Sequence, residues 1–203
     1  MFPIKKYKNI QTFLKDYLNN INTLSNIKTS LLDKFIFLIE KTIRNKNNIF
    51  VCGNGGSAAI ANHYLCDYLK LLRTNTNLKP IVTSLSSSVE LITAISNDIN
   101  YESIFSYQAE CLANKNDLFI LVSSSGNSKN IINVAKFAKK NKCKVIGFTG
   151  FDGGVLKKIA DLSIHVPLKN YGLSEDSHHI LMHILMQFLR QKHLKTKISK
   201  TKF

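Results

Sequence analysis

The stretch Val51-Cys52-Gly53-Asn54-Gly55-Gly56-Ser57 decides how this chain reads. An apolar run, Asn48 to Cys52, enters a glycine turn, and from Ser57 a helical pattern carries His63 and Asp67. A strand that ends in such a turn at a helix start aims backbone N–H groups at one point, where the helix dipole also favours negative charge. The turn lacks the Lys-Ser/Thr pair of a nucleotide P-loop and the spacing of a dinucleotide fingerprint. Taken alone, it also serves as a tight strand-to-helix connection with Ser57 as N-cap. Downstream, Ser123-Ser124-Ser125-Gly126-Asn127-Ser128 repeats the arrangement between a strand-like run and a helical pattern. Its hydroxyls suit phosphate oxygens, which accept from several donors at once. A polar loop with a serine cap is the plainer alternative.

Around these turns, short apolar runs alternate with helical periodicity. The runs are Ile49–Cys52, Pro80–Thr83, Leu118–Val122, Lys144–Thr149 and Leu162–Val166. Helical stretches begin at Ser57, Ser86, Tyr101, Asn127 and Gly153, and a last amphipathic helix covers about Ser174 to Lys192. This alternation predicts an α/β fold, a parallel sheet with helices on both faces. Ahead of it, Ile10, Phe13, Leu14, Tyr17, Leu18, Ile21 and Leu24 recur at helical spacing, and Leu31, Leu32, Phe35, Leu38, Ile39 and Ile43 follow. The expected organisation is an N-terminal helical hairpin (1–46) packing on the domain or on a partner subunit, a ligand-binding domain (47–193) and a basic tail (194–203). In open parallel sheets ligands bind beyond the carboxyl ends of the strands, and both turns sit at that edge.

The 203 residues are 44% hydrophobic and suit one domain with a sizeable core. No stretch approaches the roughly 18–20 apolar residues of a membrane helix. The segment Met1-Phe2-Pro3-Ile4-Lys5-Lys6 lacks the apolar core of a secretory signal, and the four cysteines show no pairing pattern. A cytoplasmic protein with reduced thiols is the expectation. The net charge of +15 is spread along the chain except for the run His193 to Lys202. Nucleic-acid binding would call for interleaved aromatics and a recognition element, and neither is found.

His63 and Asp67, four apart, share a helix face one to two turns from the anion-binding turn. Glu175, His179 and His183 follow at i, i+4 and i+8 on the last helix, with Asp176 seven before His183 and His178 pointing elsewhere. A carboxylate and an imidazole on each of two helices suit proton transfer at a carbonyl-bearing carbon, and equally a divalent metal. Ser96-Asn97-Asp98 either caps the helix that follows or binds sugar hydroxyls.

Together these pieces resemble the sugar isomerase (SIS) domain family, and within it the phosphoheptose isomerases. The matching residues are Cys52 to Ser57, His63, Ser96-Asn97-Asp98, Ser123 to Ser128, Thr149-Gly150-Phe151-Asp152-Gly153-Gly154 and His183-Ile184-Leu185. The resemblance implies a five-stranded parallel sheet in a flavodoxin-like three-layer arrangement, in a homotetramer with sites between subunits. It implies aldose–ketose isomerisation of a sugar phosphate such as sedoheptulose 7-phosphate, through an enediol, for surface-glycan precursors. Asn54, Gly55, Gly56, Ser57, Asn97 and Asp98 would contact substrate, and Ser123, Ser124, Ser125 and Ser128 would hold its phosphate. Asp67 and His183 would be catalytic, with Glu175 able to take the base role, and zinc would sit on His63, Asp67, Glu175 and His183. Two residues depart from the family pattern: Asp67 stands where Glu is usual, and Glu175 where Gln is usual. The alternative is a non-catalytic SIS protein that binds a sugar phosphate, or a partner such as a replication initiator.

Overall fold

The computed structural model describes residues 2–196. Five strands form, β1 (Asn48–Gly53), β2 (Ile81–Ser84), β3 (Leu118–Ser123), β4 (Lys144–Thr149) and β5 (Leu162–His165), all parallel in the order β2-β1-β3-β4-β5. Successive side chains of a strand point to opposite faces, and here both faces are apolar. Ile49 and Val51 of β1 enter one buried cluster, Phe50 and Cys52 the other. In β3, Leu118, Ile120 and Val122 join the first, Phe119 and Leu121 the second. A strand buried on both sides lies in a parallel sheet covered twice.

The helices are α1 (Ile10–Asn22), α2 (Thr29–Arg44), α3 (Gly56–Cys66), α4 (Val89–Asp98), α5 (Ser106–Leu112), α6 (Lys129–Lys140), α7 (Gly154–Ile159) and α8 (Tyr171–Lys192). Residues of α2, α3 and α8 build the first cluster, among them Phe35, Ile39, Ile60, Tyr64, Leu181 and Leu185. Ile95, Ala109, Ile131, Val134 and Leu156 of α4 to α7 build the second. The three layers expected of the sequence are in place.

Two elements depart from simple periodicity. The helix begun by α3 continues through Asp67–Leu72 in the wider π form, a feature frequent at functional sites. Its first residue is Gly56 after Gly55, so Ser57 lies inside the first turn and is not the N-cap. The last helix starts a turn earlier than its apolar pattern, because the Asn170 side chain accepts from the Leu173 N–H (2.9 Å) and caps it.

In α1 the apolar positions divide. Phe13, Tyr17 and Ile21 pack inward, while Ile10, Leu14 and Leu18 form an exposed stripe. Tyr17 donates to Asp176 (2.6 Å), holding α1 on α8. Leu194 bridges antiparallel to Thr76, and residues 197–203 of the expected basic tail lie outside the described residues. No helix among the described residues is long and apolar enough to cross a membrane.

Candidate active site

The strand order reverses between β1 and β3, and at such a switch point the two outgoing loops part and leave a crevice. Here those loops are the glycine turn after β1 and the serine loop after β3. Between them lies a small polar cavity of about 100 Å³. Asn54 and Ser57 line one side, Ser123, Ser124, Ser125 and Ser128 another, and Tyr171 and Glu175 of α8 complete it.

The serines are not equivalent. Ser123 Oγ accepts from the Gly126 N–H (3.2 Å) and Ser125 Oγ from the Asn127 N–H (3.2 Å), so these two hydroxyls also hold the loop in shape. Ser128 precedes α6 without capping it, its hydroxyl 3.5 Å from that of Ser123. Ser124 Oγ is buried and has no hydrogen-bond partner among the described residues. A buried hydroxyl in that state costs about 1–3 kcal/mol, which an external acceptor such as a phosphate oxygen would remove.

Gly126 fixes the loop against its neighbour. Its φ is +66°, and a Cβ there would overlap the Gly153 carbonyl. The Gly150 N–H donates to the Ser124 carbonyl (2.8 Å), and Asn127 Oδ1 accepts from the Val155 N–H (3.1 Å). The Thr149–Gly154 stretch is thus the support of the serine loop and contributes no wall to the cavity.

A second group of side chains gathers farther along α3. Asp67 is buried, and its carboxylate lies between two imidazoles, 3.4 Å from His63 Nε2 and 3.4 Å from His183 Nε2. Those two nitrogens are 3.2 Å apart. His179 stands beside them, its ring 4.9 Å from that of His63 and 4.6 Å from that of His183. Burial and the neighbouring histidines push its pKa down.

Glu175 belongs to the cavity. A Cβ on Gly56 would overlap its carboxylate, so glycine at the first position of α3 is what admits that group. His63 lies seven residues on, about 10 Å along the helix. Burial, then the charge of Asp176, raises the Glu175 carboxyl above its ordinary value. Of the four expected zinc ligands, then, His63, Asp67 and His183 come together, while Glu175 stands apart with the serines.

Asn97 and Asp98 end α4 on the surface, where the Asn97 amide donates to Asp98 (2.8 Å), and they do not line the cavity. His178 is a core residue against Phe148, its pKa pushed down to about 4 by burial. A further set carries no mark in the sequence. Asn54 and buried Asn130 exchange two amide hydrogen bonds of 2.9 Å, and Tyr101 donates to Asn54 Oδ1 (2.9 Å). These bonds tie the two loops of the site together across 76 residues of sequence.

Comparison with known proteins bears on the family and the fold. The SIS domain family model matches residues 12–150. The phosphoheptose isomerase of Aliarcobacter butzleri is 35% identical over 179 residues, 87% of this chain and 94% of the relative. That of Buchnera aphidicola is 37% identical over 181 residues, covering 88% and 89%. Among solved structures, the phosphoheptose isomerases of Neisseria gonorrhoeae (TM-score 0.82, 25% identity, 90% of this chain and 97% of that one) and Francisella tularensis (0.81, 27%, 90% and 96%) superpose over nearly the whole fold. The chain belongs to the SIS domain family and, within it, to the phosphoheptose isomerases.

Proposed function

We propose that this isomerase interconverts sedoheptulose 7-phosphate and D-glycero-D-manno-heptose 7-phosphate, a step toward heptose and surface-glycan precursors. The observation that carries it is the serine-walled cavity with the unpartnered Ser124 hydroxyl, sharing two helices with an Asp–His cluster. Ser57 to His63 is about 9 Å along α3, the reach of a sugar several carbons long. Phosphate bound at Ser123, Ser124, Ser125 and Ser128 would place the far end of the substrate near Asp67 and His183. Binding energy from that remote phosphate then orients the reacting carbons.

From the ketose side, a base takes the proton from C1 while an acid protonates the C2 carbonyl oxygen, giving the enediol. Loss of the O1 proton and return of a proton to C2 complete the aldose. Asp67, buried beside two imidazoles, suits the base, and His183 suits the proton carrier at oxygen. Glu175, its carboxyl raised by burial and by the charge of Asp176, stands beside the phosphate end. Asn54, with Gly55 and Gly56, faces the substrate from the β1 turn, and the Asn130 and Tyr101 bonds hold it there. Asn97 and Asp98 would meet substrate through a neighbouring subunit.

The nitrogen and carboxylate donors of His63, Asp67 and His183 suit zinc, and the buried Oδ2 of Asp67, which accepts no hydrogen bond among the described residues, fits a ligand role. Zinc bound there would polarise a sugar oxygen as a Lewis acid. A homotetramer is supported by the exposed Ile10, Leu14 and Leu18 of α1 and Ile184 and Phe188 of α8. Four unpaired cysteines support a reducing, cytoplasmic setting.

The deciding experiment is incubation of the purified chain with sedoheptulose 7-phosphate, aldose being followed by NMR, with zinc or chelator in parallel. Conversion that falls at least a hundredfold in Asp67→Asn, in line with the roughly 10²–10⁴-fold worth of a positioned acid or base, is the expected result. No conversion under either condition would remove this substrate.

A further inference from the structure

We propose that His179 is a zinc ligand of this chain, completing a set of His63, Asp67, His179 and His183 in which Glu175 has no part. The inference deepens the zinc reading of the active site and rests on it. Two facing helices each offer an i, i+4 pair: His63 and Asp67 from α3 and its π extension, His179 and His183 from α8. One ring nitrogen of each of the three histidines lies within 4.8 Å of the other two.

The distances suit a tetrahedral zinc ion. With zinc–nitrogen bonds of about 2.0–2.1 Å, neighbouring ligand atoms sit about 3.3 Å apart. His63 Nε2 and His183 Nε2 are 3.2 Å apart, and each lies 3.4 Å from an oxygen of Asp67, Oδ1 for His63 and Oδ2 for His183. The His179 ring stands beside both imidazoles, and its Nε2 is buried with no hydrogen-bond partner among the described residues. A buried ring nitrogen without a partner, on a ring packed against two other imidazoles, is a group that a cation would satisfy. Three imidazoles and one carboxylate are also a donor set that zinc favours over the hard, oxygen-seeking magnesium or calcium.

Glu175 is excluded by position. Its carboxylate packs against Gly56, two helical turns from His63. The spacing that makes Glu175 and His183 two turns apart on α8 puts His179 between them, one turn nearer the cluster.

The test is metal binding by the full chain, stripped with chelator, without substrate. Calorimetric titration with zinc should give one ion per chain. His179→Leu should weaken binding by more than the roughly 10–100-fold that outer-shell changes cost, while Glu175→Gln stays within about twofold of the parent. His179→Cys should retain binding and, loaded with cobalt(II), show a near-ultraviolet thiolate-to-metal charge-transfer band that the parent lacks. Circular dichroism of each variant separates lost folding from a lost ligand. Zinc affinity unchanged in His179→Leu, or absence of the band in a folded, cobalt-loaded His179→Cys, would overturn the assignment. So would zinc binding lost in Glu175→Gln alone, or a parent chain that binds no zinc. Turnover measured separately keeps the two readings apart: conversion without zinc binding sinks only the ligand assignment, and zinc binding without conversion sinks only the substrate.

Discussion

At the scale of single residues, unpaired polar atoms and displaced protonation say most. Ser124 carries a buried hydroxyl that no group among the described residues satisfies. Ser124→Ala should therefore raise the KM for the sugar phosphate about tenfold or more, a hydrogen bond to a charged group being worth about 1.5–3 kcal/mol. Its melting temperature should hold or rise, since the substitution also deletes an unsatisfied group. A variant with unchanged KM would place the phosphate elsewhere. Glu175 makes the opposite kind of statement. A carboxyl raised in the folded state contributes stability below its unfolded value and loses it as pH rises through the folded value. At pH 7–8 its charge is a cost, so Glu175→Gln should melt about 1–2 °C higher there, a modest gain because the group is partly exposed. At pH 4 the two proteins should melt alike. Thermal melts at both pH values check the sign.

At the scale of elements, the site is a matter of two loops held in register. Asn130 sits in the first turn of α6 and is buried, and its reciprocal bonds with Asn54 cross from the β3 loop to the β1 turn. Asn130→Ala should cost about 1–3 kcal/mol of stability, because the amide of Asn54 loses its partner. Turnover should fall further than stability, since the β1 turn beside the cavity is no longer held. Denaturant melts together with kcat and KM measure both, and full activity would show that the clamp is only structural. Much of these loops was legible in the sequence. A strand, a glycine turn and a helix can be read from period and composition, because local sterics set them. Asn130 was not legible, since an asparagine early in a helix carries no mark of a partner 76 residues away.

At the scale of the whole molecule, the two-sided core couples the site to stability. His178 lies under the sheet at 1% exposure against Phe148, and its pKa is pushed down to about 4. A histidine kept neutral by folding contributes stability above its unfolded pKa and loses it as pH falls toward the folded one. The displacement from 6.5 to about 4 corresponds to about 3 kcal/mol, lost progressively across that window. His178→Leu should flatten this acid limb, and denaturant melts at pH 4, 5, 6 and 7 measure it. An unaltered limb would assign it to other groups.

By itself the sequence determined the alternation of strands and helices, the doubly covered parallel sheet, and both strand-to-helix turns with their serines. Each rests on periodicity or on the conformational demands of a short segment, which are local. It also brought His63, Asp67 and His183 under suspicion together, through helical spacing and the family pattern. The tertiary structure alone decided which carboxylate goes where. The crossing of α3 and α8 puts Glu175 against Gly56 beside the serines and His179 beside His63. Helical spacing fixes which residues of one helix share a face, but how that face meets another helix is set by packing across the whole core.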